Sequence, residues 1–240
     1  HTERMLTQLG ATVTRRGATV ELAGGQRLRG GPIEVPGDFS SAAFFIVAGC
    51  LAAAKGLTVR RVGVNPTRTG LLDALRLMGA RITVTPAPDA GAEPCADISC
   101  QASELKGVVI PPALVPLAID ELPVLFIAAA CASGETVITG AGELRVKESD
   151  RLAVMAEGLQ ALGVRCELMA DGIRIQGGVL RGGRVASHGD HRVAMSFAIA
   201  STRAQGPIEI DDVENVGTSF PGFISVARQV GLQVTEQAAR

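Results

Sequence analysis

Two short stretches concentrate the reactive side chains of this chain. Leu144-Arg145-Val146-Lys147-Glu148-Ser149-Asp150-Arg151 and Ser187-His188-Gly189-Asp190-His191-Arg192 each crowd acids and bases into a few residues. An apolar, helix-patterned run follows each at once, over 152–162 and 193–200. Charge is thereby placed at two expected helix N-termini. Such ends already carry unpaired N–H groups and a positive dipole, so extra Lys and Arg there oppose the dipole unless an anion is held. The implied ligand is a phosphate or a carboxylate.

In the first stretch Lys147 and Arg151 are four residues apart and would share a helix face, with Glu148 beside them. A carboxyl group between two cations and a bound anion can serve as general acid or base, its pKa set by those neighbours. The competing reading is a solvated helix end, with Ser149 or Asp150 as cap and Glu148 paired to a nearby Lys or Arg. In the second stretch Arg192 suits a bidentate contact to carboxylate or phosphate, with His191 alongside as donor; the competing reading is a polar entry to a buried helix. His188 and His191 could begin a metal site, but the only other histidine is His1, so the ligand set is incomplete and no metal is expected. Arg68 and Lys106 read as isolated surface cations, and Ser40 and Ser41 as helix caps. No Gly-x-Gly-x-x-Gly or phosphate-loop motif follows a strand, which argues against a nucleotide cofactor.

The elements that must position these residues come from an internal repeat. One kind of segment is an apolar helix, a Gly and a β-rich strand: 39–55 with Gly56 and 57–62, 122–133 with Gly134 and 135–139, 192–205 with Gly206 and 207–210. The other is an amphipathic helix, a Gly and a strand: 71–78 with Gly79 and 80–85, 152–162 with Gly163 and 164–168, 223–230 with Gly231 and 232–235. A further copy, 5–9 with Gly10 and 11–15, stands alone at the start. Gly after the last helical turn supplies a left-handed residue, and β-branched strands follow. The fold class expected is α/β (α+β), built from repeated βαβαββ units. The first helix of each unit is hydrophobic nearly all round and should lie inside; the second should face outward with Asp73, Arg76, Glu157 and Gln160. Three units packing their inner helices as parallel neighbours would bring the helix N-termini to one face. Asp38, Asp120 and Asp190 precede the three inner helices: Asp38 and Asp190 read as N-caps, and Asp120 as cap and chemistry together.

The loops entering the outer helices correspond too, at 65–70, 143–150 and 215–222, and only the middle one is dense in charge. A seam is expected near 32–37, with 1–34 closing one domain and 35–240 forming another; 86–94 reads as a surface loop. The chain opens on His1 in what reads as mid-helix, so it is expected to be a piece of a longer product.

Composition narrows the classes. With 23 Lys plus Arg against 24 Asp plus Glu, and no Trp or Tyr, there is no general basic field or stacking surface for nucleic acid. The mean hydropathy is +0.28, but the longest apolar run, 42–54, is too short to span a bilayer. Five cysteines at irregular spacings read as free thiols, which favours a reducing compartment.

LRVKESDR (144–151), GDHRVAM (189–195), SFPGF (219–223), NPTRTG (65–70) and IDELP (119–123) resemble the C-terminal half of the 5-enolpyruvylshikimate-3-phosphate synthase family, in order along essentially the whole chain. The resemblance implies an enolpyruvyl-transferase-like inverse α/β barrel domain. It implies a cytoplasmic enzyme of aromatic amino acid biosynthesis, working without cofactor or metal on phosphoenolpyruvate and shikimate 3-phosphate. By the same resemblance Asp120 would take the proton from the attacking hydroxyl, and Glu148 would protonate the methylene carbon and later retrieve the proton. Lys147 would contact the phosphate side of shikimate 3-phosphate, while Arg151 and Arg192, with His191 adjacent, would clamp phosphoenolpyruvate. Thr218 stands where many relatives carry Lys. The N-terminal half of the same protein would supply the other wall of the cleft, so this chain alone is expected to turn over negligibly. Alternatives are the related transferase acting on a UDP-amino sugar, and a non-catalytic half-module.

Overall fold

Nearly every residue over 39–52, 122–130 and 191–200 is apolar or small, and each of these runs folds as a helix without a solvent face. The structure, a computed structural model, describes residues 1–87 and 91–237. Its helices are α1 (Thr2–Gln8), α2 (Phe39–Ala52), α3 (Gly70–Leu77), α4 (Leu122–Ala130), α5 (Arg151–Ala161), α6 (His191–Ala200), α7 (Glu214–Ser219) and α8 (Phe223–Gln229). Its strands are β1 (Val13–Arg16), β2 (Thr19–Leu22), β3 (Leu57–Gly63), β4 (Arg81–Pro86), β5 (Cys95–Gln101), β6 (Glu135–Ile138), β7 (Arg165–Met169), β8 (Gly172–Gln176), β9 (Gly183–Ala186) and β10 (Ile208–Asp211).

The inner helices α2, α4 and α6 pack against one another, and all nine residues of α4 are buried. Burying a Leu, Ile or Phe contributes about 1.5–3 kcal/mol, so Leu122, Leu125, Phe126 and Ile127 alone anchor the centre strongly. Asp73, Arg76, Glu157 and Gln160 are exposed on α3 and α5, as the pattern predicts. The outer helix α5 approaches α6 closely: a Cβ at Gly158 would lie 2.3 Å from the Phe197 ring.

The repeat is visible in the pairing. In the first unit Gly37 bridges Val62 in parallel, and β3, β5 and β4 form an antiparallel sheet in that order. The second unit repeats this, with parallel bridges Lys106 to Ser133 and Val109 to Val137 and a sheet ordered β6-β8-β7. In the third, β9 and β10 pair in parallel. Four phenylalanines close the third unit onto the first: Phe223 lies 6.1 Å from Phe44 and 5.7 Å from Phe45, and Phe220 lies 6.1 Å from Phe45.

Four expectations need correction. The strand expected over 232–235 is absent, because those residues find no ladder partner and the third sheet stops at two strands. Gly206 does not end a helix in the left-handed region, whereas Gly79 (φ +92°) and Gly163 (φ +83°) do; α6 stops at Ala200 and a separate turn leads to Gly206. The loop at 215–222 contains α7. Asp120 caps nothing: α4 starts with Glu121 at the cap position, without a side-chain cap bond, and Pro123 in its first turn offers no N–H.

The chain opens with a short helix, α1, that buries no residue, followed by the exposed β1–β2 hairpin. His1 Nδ1 sits 3.0 Å from Glu93 Oε1, and Arg61 pairs with Glu34. Residues 88–90 of the expected surface loop lie outside the described residues. All five cysteines are free. Among the described residues no helix is long and apolar enough to cross a membrane.

Candidate functional site

A polar group in a core this apolar needs a reason, and among the described residues the fully enclosed charged ones are three: Glu121, Arg151 and Asp190. All three lie where the N-termini of α2, α4 and α6 meet. Ser40, at the start of α2, donates its hydroxyl to Glu121 Oε1 at 2.5 Å, and Arg192, at the start of α6, donates from Nη1 to the Asp120 carbonyl at 3.2 Å. The sequence expectation that the inner helices present their N-termini together is thus met.

Asp190 organises one side. As N-cap of α6 its Oδ1 accepts from the Arg192 and Val193 amides at 2.9 and 3.4 Å, while Oδ2 accepts from Arg151 Nε at 2.8 Å and Ser149 Oγ at 3.1 Å. Burial, the largest influence, pushes its pKa upward, but the Arg151 bond and charge and the other donors together hold it below the ordinary carboxylate range. Arg151, with a side chain 1 % exposed, also pairs with Glu148, and its Nη1 has no hydrogen-bond partner. The nearest acid to that N–H group is Asp120, whose Oδ1 lies 3.6 Å away. An unpaired guanidinium donor in an enclosed setting is a place for an anion's oxygen.

Lys147 and Glu148 precede α5 instead of lying on it. A 3-10 turn, Gly142–Val146, ends at an extended Lys147, and α5 begins only at Arg151, capped by Asp150, whose Oδ1 accepts from the Ala153 amide at 3.0 Å. The face-sharing expected of Lys147 and Arg151 is therefore replaced by convergence on one carboxylate. Lys147 Nζ stands 3.6 Å from Asp120 Oδ1 and 2.6 Å from Glu143 Oε1. The Glu143 bond, with help from the charges of Asp120 and Glu143, raises the Lys147 pKa, so the ammonium persists. Arg145 braces the loop, donating to Asp150 at 2.7 Å and to the carbonyls of Ala170 and Met169 at 2.8 and 2.7 Å.

Asp120 lies in a 3-10 turn, Ile119–Glu121, ringed by cations. Burial works to raise its pKa, but the charges of Arg192, Lys147 and Arg68 outweigh it and keep the group ionised below the ordinary range. Its neighbour Glu121 shifts the other way: burial dominates, and the Ser40 bond with the Arg68 and Arg192 charges only partly offsets it. His191 is partly buried in the first turn of α6; burial, then the Arg192 charge, lowers its pKa and keeps the ring neutral near pH 7.

Asp120, Lys147, Glu148, Arg151 and Arg192 are thus brought into one cluster, with His191 at its edge. The sequence reading missed three members. Arg68 is no isolated surface cation: it donates to Asp120 Oδ2 at 3.2 Å, Ser40 Oγ at 3.0 Å and Glu121 Oε1 at 3.3 Å. Ser40 links two helices instead of capping one, and Glu121 is buried. The available signal was the correspondence of the Arg68 loop with the charged loop of the second unit. Lys106 is exposed, as expected. His188 is exposed, with its Nε2 3.9 Å from Glu157, and among the described residues no three His, Cys, Asp or Glu side chains are grouped to hold a metal. A cavity of about 990 Å³ lies between α7 and α8, lined by Val216, Phe220, Ile224 and Arg228, and takes in none of these residues.

The structure is an α/β domain of repeated units whose inner helices present their N-termini to a knot of cations and carboxylates. The comparisons specify it. The profile of EPSP synthase (3-phosphoshikimate 1-carboxyvinyltransferase) matches residues 1–226, so the chain belongs to that family. It is 59% identical over 236 residues to the 3-phosphoshikimate 1-carboxyvinyltransferase of Alkalilimnicola ehrlichii, covering 98% of this chain and 53% of the relative. With that of Halorhodospira halophila it shares 59% over 235 residues, again 98% and 53%. The EPSP synthase structure from Acinetobacter baumannii superposes with a TM-score of 0.94 at 49% identity, covering 99% of this chain and 56% of that one. The enolpyruvyl transferase NikO from Streptomyces tendae, at 20% identity and a TM-score of 0.74, shares the fold. The chain spans about half the length of the curated relatives it matches.

Proposed function

We propose that the protein to which this chain contributes transfers the enolpyruvyl group of phosphoenolpyruvate to the 5-hydroxyl of shikimate 3-phosphate and releases phosphate. The observation that carries this reading is the ionised Asp120 within 3.6 Å of both Lys147 and Arg151, with Glu148 on the other side of the Arg151 guanidinium. Asp120 accepts the proton of the attacking hydroxyl, whose oxygen bonds to C2 of phosphoenolpyruvate. Glu148 delivers a proton to C3, giving a tetrahedral intermediate. The bond from C2 to the phosphate oxygen then breaks, and the methyl group returns a proton to Glu148. Arg151 and Arg192 hold the carboxylate and phosphate of phosphoenolpyruvate, with His191 as a neutral donor, and Lys147 meets the phosphate of shikimate 3-phosphate. Fixed cations are useful here because two multiply charged anions must be brought together and kept from water.

Residues 1–34 then close one domain and 35–240 form most of a second, with the other wall of the cleft supplied by the rest of the protein in the cytoplasm. Incubating the whole-length protein with phosphoenolpyruvate and either shikimate 3-phosphate or a UDP-amino sugar tests the assignment. Phosphate release is expected only with shikimate 3-phosphate; release only with the UDP-sugar, or with neither, refutes it.

A further inference from the structure

The cations around Asp120 are not held alike. Lys147 rests on Glu143, an exposed acid, and Arg192 donates to a backbone carbonyl, so either can turn toward an incoming anion at small cost. Arg68 cannot. Its Nη2 is bound by Ser40 Oγ at 3.0 Å and Glu121 Oε1 at 3.3 Å, and Glu121 is buried. Glu121 Oε2 has no partner at all, and the next cation, Arg192 Nη1, is 4.0 Å from Oε1. Moving Arg68 away would strand an enclosed carboxylate, which is strongly unfavourable. The other half of the same guanidinium fork holds Asp120 Oδ2 at 3.2 Å.

We propose that Arg68, clamped by Ser40 and Glu121, is a positioning residue that pins Asp120 Oδ2 and leaves Oδ1 as the oxygen that receives the acceptor's proton. When substrates draw Lys147 and Arg192 onto themselves, Arg68 stays behind and fixes the carboxylate plane. This rests on the enolpyruvyl-transfer reading. The groups facing Asp120 are Arg68 from the loop before α3, Lys147 from the loop before α5, Arg151 from the first turn of α5, Arg192 from α6, and Glu121 from its own turn. Removing one cation raises the carboxylate's pKa, so a base that must be ionised loses activity at higher pH than before.

The test uses Arg68→Gln and Arg68→Lys in the whole-length protein, with kcat, both KM values and pH profiles. In Arg68→Gln, kcat should fall by roughly 10- to 100-fold with little change in either KM, as expected for a misplaced catalytic group. The acid limb of its kcat profile should move up by about one pH unit. Arg68→Lys restores the charge but not the fork, so its limb should return to the wild-type position while kcat stays low. A kcat within about twofold of wild type in Arg68→Gln, an unmoved limb, or a loss confined to KM overturns the proposal. Should the wild-type protein show no enolpyruvyl transfer, the functional reading fails on its own, and carbon-detected NMR titration of Asp120 in this chain decides the clamp. A higher midpoint in Arg68→Gln supports it; an unchanged one ends it.

Discussion

Asp190 and Asp120 occupy equivalent places in successive repeat units, each just before an inner helix, yet they have become different objects. Asp190 caps α6 and accepts four bonds, two from backbone amides and two from side chains, so both oxygens are committed to structure. Asp120 has no amide to cap, because α4 opens with Leu122-Pro123, and the 3-10 turn in front of the helix lifts it toward Arg68, Lys147 and Arg151. Asp38, the third copy, is a plain cap that accepts from the amides of Ser40 and Ser41. A repeat thus supplies an acid at the same point in every unit, and the unit that gives up its cap leaves its carboxylate to meet Arg68, Lys147 and Arg151.

That contrast can be broken most forcefully at the pair itself. Asp190→Ala leaves the Arg151 guanidinium enclosed without its buried partner and should cost about 3–5 kcal/mol of stability, read from urea unfolding of this chain. Asp120→Asn should cost no more than about 1–2 kcal/mol in the same assay. In the whole-length protein it should lower kcat by about 10²–10⁴-fold. Equal stability losses in the two variants would erase the distinction.

Gly158→Ala probes what brings Arg151 to Asp190. The added Cβ meets the Phe197 ring, so α5 must shift on α6, at a cost of about 1–3 kcal/mol by calorimetric melting. The contact between Arg68 and Asp120 should be untouched, and an unchanged melting point would show that α5 has room to spare.

Acid unfolding separates the carboxylates by sign. The pKa of Asp190 is depressed in the fold, so its stabilisation is complete above the unfolded value of about 4 and is lost as pH falls through the folded one. Glu121 is raised and contributes in the opposite sense, since protonating it relieves a buried charge. Below about pH 4 stability should therefore fall less steeply in Asp190→Asn than in wild type, while from about pH 7 down to pH 4, where wild type gains from protonating Glu121, Glu121→Gln should lack that gain. Parallel curves would contradict both assignments. The smallest effect is expected at Asp38→Ala, about 1 kcal/mol for an ordinary cap, measured in the same urea series.

How much of this was legible beforehand depended on whether the signal was local. Helix after helix was readable because α2, α4 and α6 are apolar all round and end in a Gly or a turn, while α3 and α5 alternate faces. The cap at Asp190 and the cluster at 147–151 were readable because the charges are adjacent in sequence. Arg68, Ser40 and Glu121 were not, since they lie far apart in sequence and meet only when the helix ends converge. The missing strand at 232–235 shows the same limit: β-propensity was present, but a ladder needs a partner from elsewhere. Asp120 was misread as a cap, because Pro123 was not weighed as the loss of an N–H.

In the proposed reaction Glu148 delivers a proton to a carbon. Running the whole-length protein with phosphoenolpyruvate and shikimate 3-phosphate in deuterium oxide tests this directly, with the product's vinyl group examined by mass spectrometry. Addition followed by elimination predicts deuterium in that vinyl group, and no labelled product from Glu148→Gln. A product whose vinyl group carries no deuterium, or Glu148→Gln working at the wild-type rate, would contradict the account.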